Sequence, residues 1–281
     1  MPSMNERPIG LFDSGVGGLT VLNAVRQALP NEHLIYLGDT ARVPYGTKSA
    51  LSITRYAEQA LKALLRYDIK ALVVACNTAS AVALESLIAA YPQLLIVGVV
   101  EPGAQAAVNV TQTGHVGVIA TESTVNNQAY QKAILSLMPE ANVKSAPCSL
   151  FVALAEEGWH DGELVEAIVK RSLSGLFDHY HTGTDVLDTL VLGCTHFPVL
   201  KSAITNVIGD QVRLVDSAET SARVLQQQLT AANLLNASTA VGHVRFLVTD
   251  SPSRFARVAK HFYTESVEAD QVELIDIQHF G

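Results

Sequence analysis

Two cysteines sit in the same local setting, far apart in a chain of 281 residues. Cys76 follows the apolar run Ala71-Leu-Val-Val-Ala75 and precedes Asn77-Thr78-Ala-Ser; Cys194 follows Thr189-Leu-Val-Leu-Gly193 and precedes Thr195, His196 and Pro198. A thiol placed where a strand ends and a helix begins meets free N–H groups and the positive end of the helix dipole. Such a setting is expected to lower a thiol pKa from about 8.5 towards neutrality and make the sulfur a usable base or nucleophile. Two thiols in matched contexts are hard to attribute to core packing, although an isolated intracellular cysteine is more often a small buried hydrophobe. A redox pair is the rival reading, and it would usually show Cys-x-x-Cys, which is absent.

Other residues group around the cysteines. His196, two places after Cys194, suits a partner that stabilises a thiolate or protonates it on demand; the plainer reading is a polar residue lining a helix start. In Asp13-Ser14-Gly15-Val16-Gly17-Gly18 the glycines allow close backbone approach and expose N–H groups for an anion. A nucleotide loop competes, with Asp39 near the place of a ribose-binding acid, but position 20 is Thr where a third small residue belongs. Asp13 would also repel a pyrophosphate; it suits an ammonium ligand or a base that manages a thiol proton. Pro44-Tyr45-Gly46 is a turn whose N–H groups can hold a carboxylate beside a cleft. Thr121 and Thr124 offer hydroxyls, Glu101-Pro102-Gly103 reads as a plain connection, and Glu156 follows the apolar stretch Leu150–Ala155. The nine histidines form no metal signature; His179-Tyr180-His181 lacks a third ligand in register and reads as a solvated helix end. No metal is expected.

These residues need strands and helices to place them. Short β-branched runs at Ile9–Asp13, Leu34–Gly38, Ala71–Ala75, Leu95–Val99, His115–Ala120, Val143–Ala146, Thr189–Leu192, Val212–Val215, Val244–Val248 and Val272–Ile275 read as strands. Several are apolar throughout, as parallel strands covered on both faces are. Between them lie helical spacings: Ile53, Ala57, Ala60, Leu61 and Leu64 share a face near Lys48–Arg66, and Leu164, Ile168, Arg171 and Leu176 form a less clean set near Asp161–Tyr180. Ser251-Pro252 places a capping hydroxyl before a first-turn proline, and Pro102 and Pro198 also read as first-turn prolines. The alternation predicts an α/β fold with right-handed crossovers.

The chain also echoes itself. Leu72-Val-Val-Ala-Cys76-Asn77-Thr78 resembles Leu190-Val-Leu-Gly-Cys194-Thr195-His196, and Pro8-Ile-Gly-Leu-Phe-Asp13-Ser14 resembles His115-Val-Gly-Val-Ile-Ala-Thr121. The predicted architecture is therefore two pseudo-symmetric α/β units, each a mostly parallel sheet flanked by helices, with carboxyl strand ends facing across a cleft where a ligand binds.

Composition bounds the partners. Apolar residues make up 48% and charged residues 16%, which suits a folded chain with a sizeable core. The net charge of −8 carries no basic cluster, so nucleic acid is not an expected partner. No apolar run approaches the ~20 residues of a membrane helix, and MPSMNERP lacks an apolar signal core; a cytoplasmic protein without a membrane partner is expected. Cys76, Cys148 and Cys194 are too few and scattered for a disulfide framework.

Taken in order, Asp13-Ser14-Gly15-Val-Gly17-Gly18-Leu19, Pro44-Tyr45-Gly46, Ala75-Cys76-Asn77-Thr78-Ala79, Glu101-Pro102-Gly103 and Gly193-Cys194-Thr195-His196-Phe-Pro198 resemble the glutamate branch of the aspartate/glutamate racemase family. The resemblance runs from about residue 7 to 220 and implies a first domain of residues 7–99 with 214–281 and a second of 100–213, the substrate enclosed between them. It implies cofactor-independent racemisation with Cys76 and Cys194 as the two acid/base residues, assisted by Asp13, Glu156 and His196. Glu156 is matched by its position after Cys148-Ser149-Leu-Phe-Val, where the family usually has Cys-Pro. The substrate, glutamate, would be held by Asp13, Ser14, Pro44, Tyr45, Gly46, Asn77, Thr78, Thr121, Thr124, Thr195, His196 and the cysteines. Supply of D-glutamate for peptidoglycan and a homodimer are further expectations, and aspartate is the nearest rival substrate. Outside the family, a non-catalytic amino-acid binding protein of two domains is the alternative.

Overall fold

The computed structural model describes residues 3–177 and 186–280; His179, Tyr180 and His181 lie outside them. The chain alternates strands and helices. The first half runs β1 (Ile9–Asp13), α1 (Leu19–Ala28), β2 (Leu34–Gly38), α2 (Ala50–Leu65), β3 (Ala71–Val74), α3 (Asn77–Ala90), β4 (Leu95–Gly98) and α4 (Val100–Val110). The second runs β5 (His115–Ala120), α5 (Glu122–Asn127), α6 (Ala129–Leu137), β6 (Asn142–Pro147), α7 (Leu150–Glu156), α8 (Glu163–Phe177), β7 (Thr189–Gly193), α9 (Lys201–Ile208) and β8 (Arg213–Val215). The chain then returns through α10 (Ala218–Ala231), β9 (Val244–Val248), α11 (Pro252–Ala259) and β10 (Val272–Leu274).

All ten predicted strands form, in two parallel sheets ordered β10-β9-β2-β1-β3-β4 and β6-β5-β7-β8. The order β2-β1-β3-β4 thus recurs as β6-β5-β7-β8, with β9 and β10 added beyond β2. The sequence echo holds in register. Phe12 pairs with Val74 and Ile119 with Leu192. Counting two residues on from each pair, Ser14 corresponds to Thr121 and Cys76 to Cys194. In both sheets the chain reverses its winding beside the first strand, and such switch points at carboxyl strand ends are where open α/β sheets bind ligands.

Packing explains the apolar runs. Along β1 to β3, Ile9, Leu11, Leu34, Tyr36, Ala71 and Val73 face a layer built on α1, α10 and α11. Their neighbours Phe12, Ile35, Leu37, Leu72 and Val74 face α2 and α3 on the other side. In the second sheet Val116, Val118 and Val191 face α4 and α6, while Ile119, Leu190 and Leu192 face α7, α8 and α9. Each such side chain, fully buried, contributes roughly 1.5–3 kcal/mol, so strands covered on both faces can be apolar at every position.

Helix α2 buries the expected face, and Ser49 caps it, its hydroxyl accepting from Ser52 N at 3.3 Å. Other local expectations are corrected. Helix α8 buries Val165, Val169, Leu173 and Leu176, with Leu164 60% exposed; of the predicted set Leu176 is in the core and Ile168 packs partly buried against it, because the buried face is centred about one residue further round. Ser251 precedes α11 but adopts a left-handed conformation (φ 46°) and makes no capping hydrogen bond. Pro102, the third residue of α4, lies in its first turn as expected. Pro198 does open a short 3-10 turn, Phe197–Leu200.

Candidate active site

The carboxyl ends of the two sheets meet around one cavity of about 30 Å³, room for about two water molecules. Every site residue singled out from the sequence lines it except Asp13 and Thr124, which stand directly behind. Cys76 and Cys194 both open onto this space while remaining 5% and 6% exposed. The cavity also has two apolar walls, Val43 and Val152; a lone valine in a loop or helix carries no sequence signal of such a role.

On the first side, Cys76 immediately precedes α3 and its sulfur lies 3.6 Å from Ser14 Oγ. Its expected pKa depression is not what the fold produces. Burial pushes the thiol up to about 12, reinforced by the Asp13 carboxylate, against weaker help from the helix N–H of Ala79 and from Ser14. The helix dipole is present, but removing water from the sulfur outweighs it. Cys76 is therefore held as a neutral thiol.

The glycine-rich loop also departs from expectation. Its N–H groups serve Asp13 itself: Gly15 N donates to Oδ2 at 2.9 Å, and Tyr36 donates its hydroxyl to the Gly15 carbonyl at 2.9 Å. Burial raises the Asp13 pKa against the pull of His196 and of the loop N–H groups. Asp13 Oδ1 has no partner among the described residues. The glycines are instead needed for packing. A Cβ on Gly17 would lie 2.4 Å from His196 Nδ1, and one on Gly18 would lie 2.5 Å from Asp13 Cβ. Gly46 likewise presses on Thr121 of the other half, leaving 2.6 Å for a Cβ.

On the second side, Cys194 Sγ lies 3.8 Å from His196 Nδ1, and His196 Nε2 lies 3.2 Å from Glu156 Oε1. Burial disfavours the imidazolium, but the contacts with Cys194 and Glu156 prevail and raise the His196 pKa to about 10. Burial also opposes the Glu156 carboxylate; His196 and Arg254 prevail and hold its pKa below the ordinary value. Arg254, from α11, donates to Glu156 Oε2 at 3.1 Å. Sequence spacing gave no hint of this residue, since it comes from the returning segment.

Hydroxyls and the Pro44–Gly46 turn complete the walls. Thr78, Thr121 and Thr124 form a triangle with Oγ1 separations of 2.9, 3.3 and 3.1 Å, spanning both halves. Tyr45 buries its ring and donates its hydroxyl to Asp39, which also pairs with Arg42 at 2.6 Å and Thr249 at 2.8 Å. Asp39, the residue weighed as a ribose acid, thus anchors the turn. Asn77 Nδ2 is buried without a partner among the described residues. The arrangement offers a neutral thiol on one side, a second sulfur beside an imidazolium on the other, and donors between them. Among the described residues no helix is long and apolar enough to cross a membrane.

Comparison with known proteins adds an independent finding. The sequence profile of the Asp/Glu/Hydantoin racemase family matches residues 16–225. The glutamate racemase of Geobacter metallireducens is 49% identical over 276 residues, covering 95% of this chain and 100% of that protein. The crystal structure of glutamate racemase from Francisella tularensis in complex with D-glutamate superposes with a TM-score of 0.89 at 37% identity, covering 98% and 99% of the two chains. That of the Thermus thermophilus glutamate racemase in complex with β-chloro-D-alanine gives 0.84 at 41% identity, covering 96% and 97%.

Proposed function

The chain belongs to the Asp/Glu/Hydantoin racemase family, and from that premise we propose that it interconverts L- and D-glutamate with Cys76 and Cys194 as acid and base on opposite faces of the substrate α-carbon. It is an amino-acid racemase, an isomerase. The observation that carries the reading is the equivalence of the two sulfurs: each lies two residues beyond a matched strand pair, and both open onto one cavity. Glutamate as substrate is supported by the match to the D-glutamate complex of the Francisella protein.

Racemisation removes the α-proton from one face and returns a proton to the other, so one sulfur must enter as thiolate and the other as thiol. The surroundings favour one assignment for L-glutamate. His196, cationic at neutral pH with its pKa near 10, is the counter-ion a Cys194 thiolate needs, and Cys76 is held neutral. Cys194 then takes the α-proton of L-glutamate while Cys76 delivers its proton to the opposite face. The carbon leaves inverted, with Cys76 as thiolate and Cys194 as thiol, and D-glutamate reverses the exchange. Asp13 stands behind Cys76 as His196 and Glu156 stand behind Cys194, to rebalance the proton.

The α-proton is weakly acidic, so the carbanion-like state needs donors fixed beforehand around the carboxylates. Ser14, Asn77, Thr78, Thr121, Thr195 and the N–H groups of the Tyr45–Gly46 turn supply them. The proposal includes a role in supplying D-glutamate to peptidoglycan in the cytoplasm and a homodimeric assembly.

The test incubates each glutamate enantiomer in heavy water without pyridoxal phosphate and follows α-deuteration by proton NMR together with optical rotation. Deuterium incorporation with loss of rotation is expected. Binding without α-exchange would indicate an amino-acid binding protein, and exchange of L-aspartate in preference would reassign the substrate.

A further inference from the structure

We infer that Tyr130 is a positioning residue that fixes the Asn77 amide with its Nδ2 presented to a carboxylate oxygen of the substrate; this rests on the racemase reading. Asn77 begins α3 in the first half, and Tyr130 lies on α6 in the second. The Tyr130 hydroxyl donates to Asn77 Oδ1 at 2.6 Å. Both residues are buried, at 2% for Tyr130 and 3% for Asn77. Burying an amide N–H without a partner costs about 1–3 kcal/mol, yet Nδ2 has none among the described residues, in a side chain that lines the cavity.

In the observed orientation the phenol O–H has Oδ1 as its acceptor, and the substrate carboxylate favours the same orientation. The flipped amide would present Oδ1 to the substrate carboxylate, and two acceptors would oppose each other. With the observed orientation the carboxylate accepts from one of the two N–H donors that Nδ2 leaves open.

The ring is built in rather than incidental. A Cβ on Gly103 would lie 3.0 Å from Tyr130 Cε1, and one on Gly193 would lie 2.9 Å from its Cε2. These two glycines, one in α4 and one immediately before Cys194, form the slot in which the ring lies. The hydrogen bond therefore joins α6, whose Tyr130 ring rests on the residue before Cys194, to the residue after Cys76, and a substrate donor is aligned only when the two halves are together.

Tyr130→Phe fills the same slot and removes only the hydroxyl. Expected is a KM increase of about tenfold for both enantiomers, a kcat within threefold of wild type, and a thermal midpoint within a few degrees. In an Asn77→Ala background the same change should alter KM less than twofold, because the amide it orients is gone. A Tyr130→Phe KM within twofold of wild type, or an undiminished tenfold effect beside Asn77→Ala, would overturn the inference. Should Tyr130→Phe fail to fold, Asn77→Asp carries the test. It keeps an acceptor for Tyr130 but replaces the donor by a repelling oxygen, so KM should rise at least about a hundredfold; a KM near wild type would refute the orientation. Wild-type protein inert towards glutamate in the same assay would instead overturn the racemase reading and this inference with it.

Discussion

Cys76 and Cys194 occupy equivalent positions, but their companions do not repeat. Asp13 corresponds in register to Ala120, and His196 to Thr78. The site is thus symmetric in its sulfurs and asymmetric in its charges, which suits the proposed exchange of a proton between unlike partners. On the proposed two-cysteine mechanism, replacing either sulfur removes one of the two proton carriers. Cys76→Ala and Cys194→Ala are each expected to lower kcat for racemisation by ~10⁴-fold or to background, with unchanged far-UV circular dichroism; full activity in either variant would end the two-cysteine assignment. His196 gives a pH prediction. Its folded pKa, about 10, lies above its ordinary 6.5, so protonation favours the folded state. That contribution is fully present below about pH 6.5 and is lost as pH rises through 10. The thermal midpoint of wild type should therefore fall relative to His196→Gln between pH 7 and 10.5; parallel profiles would contradict a cationic His196.

At the scale of elements, the strands were legible because parallel strands covered on both faces must be apolar at successive positions, as Leu190 to Leu192 are. The internal repeat was legible for the same reason, and it led directly to the two cysteines. Where an environment is set by distant parts of the chain, local reading failed. The Cys76 dipole was visible in sequence but its burial was not, and burial reversed the direction of its pKa. Arg254 and Tyr130 reach the site from elements whose spacing says only that they are helices. The loop between β1 and α1 shows the same limit: its glycines looked like ligand contacts, whereas Gly17 makes room for His196. Gly17→Ala places a methyl group 2.4 Å from Nδ1 in the absence of adjustment. His196 is backed by Phe262, ring centroids 5.2 Å apart, so a ring that yields to the methyl group changes its 3.8 Å contact with Cys194. A displacement of this size costs about a hundredfold in kcat/KM, read by steady-state kinetics, while the circular dichroism spectrum stays that of the wild type. A near-wild-type kcat/KM would show that the loop yields instead.

The molecule as a whole separates the end that reacts from the end that holds the first sheet together. At the amino ends of β2 and β3, opposite Cys76, Lys70 Nζ lies 2.6 Å from Glu32 Oε2 and donates to the carbonyls of Asn5 and Leu234 at 2.5 and 2.7 Å. Both side chains of the pair are almost fully buried, at 0% and 2%. The start of the chain, two strand entries and the returning segment thus converge on one ammonium group. A buried ion pair adds little over an apolar substitute, but losing one partner strands the other charge away from water at a cost of about 3–5 kcal/mol. Lys70→Met should therefore lower the free energy of urea unfolding by roughly that amount. Lys70→Met with Glu32→Gln should recover more than half of the loss, because glutamine carries no charge and retains an acceptor for Asn236 N, which Glu32 Oε1 now receives at 2.8 Å. Since no residue of this cluster lines the catalytic cavity, kcat for glutamate should stay within twofold of wild type in both variants at temperatures where they remain folded. A loss of kcat in the doubly substituted protein would show that the two ends are coupled through the strands, and equal instability of both variants would show that the hydrogen bonds to Asn5 and Leu234, not the stranded charge, set the cost.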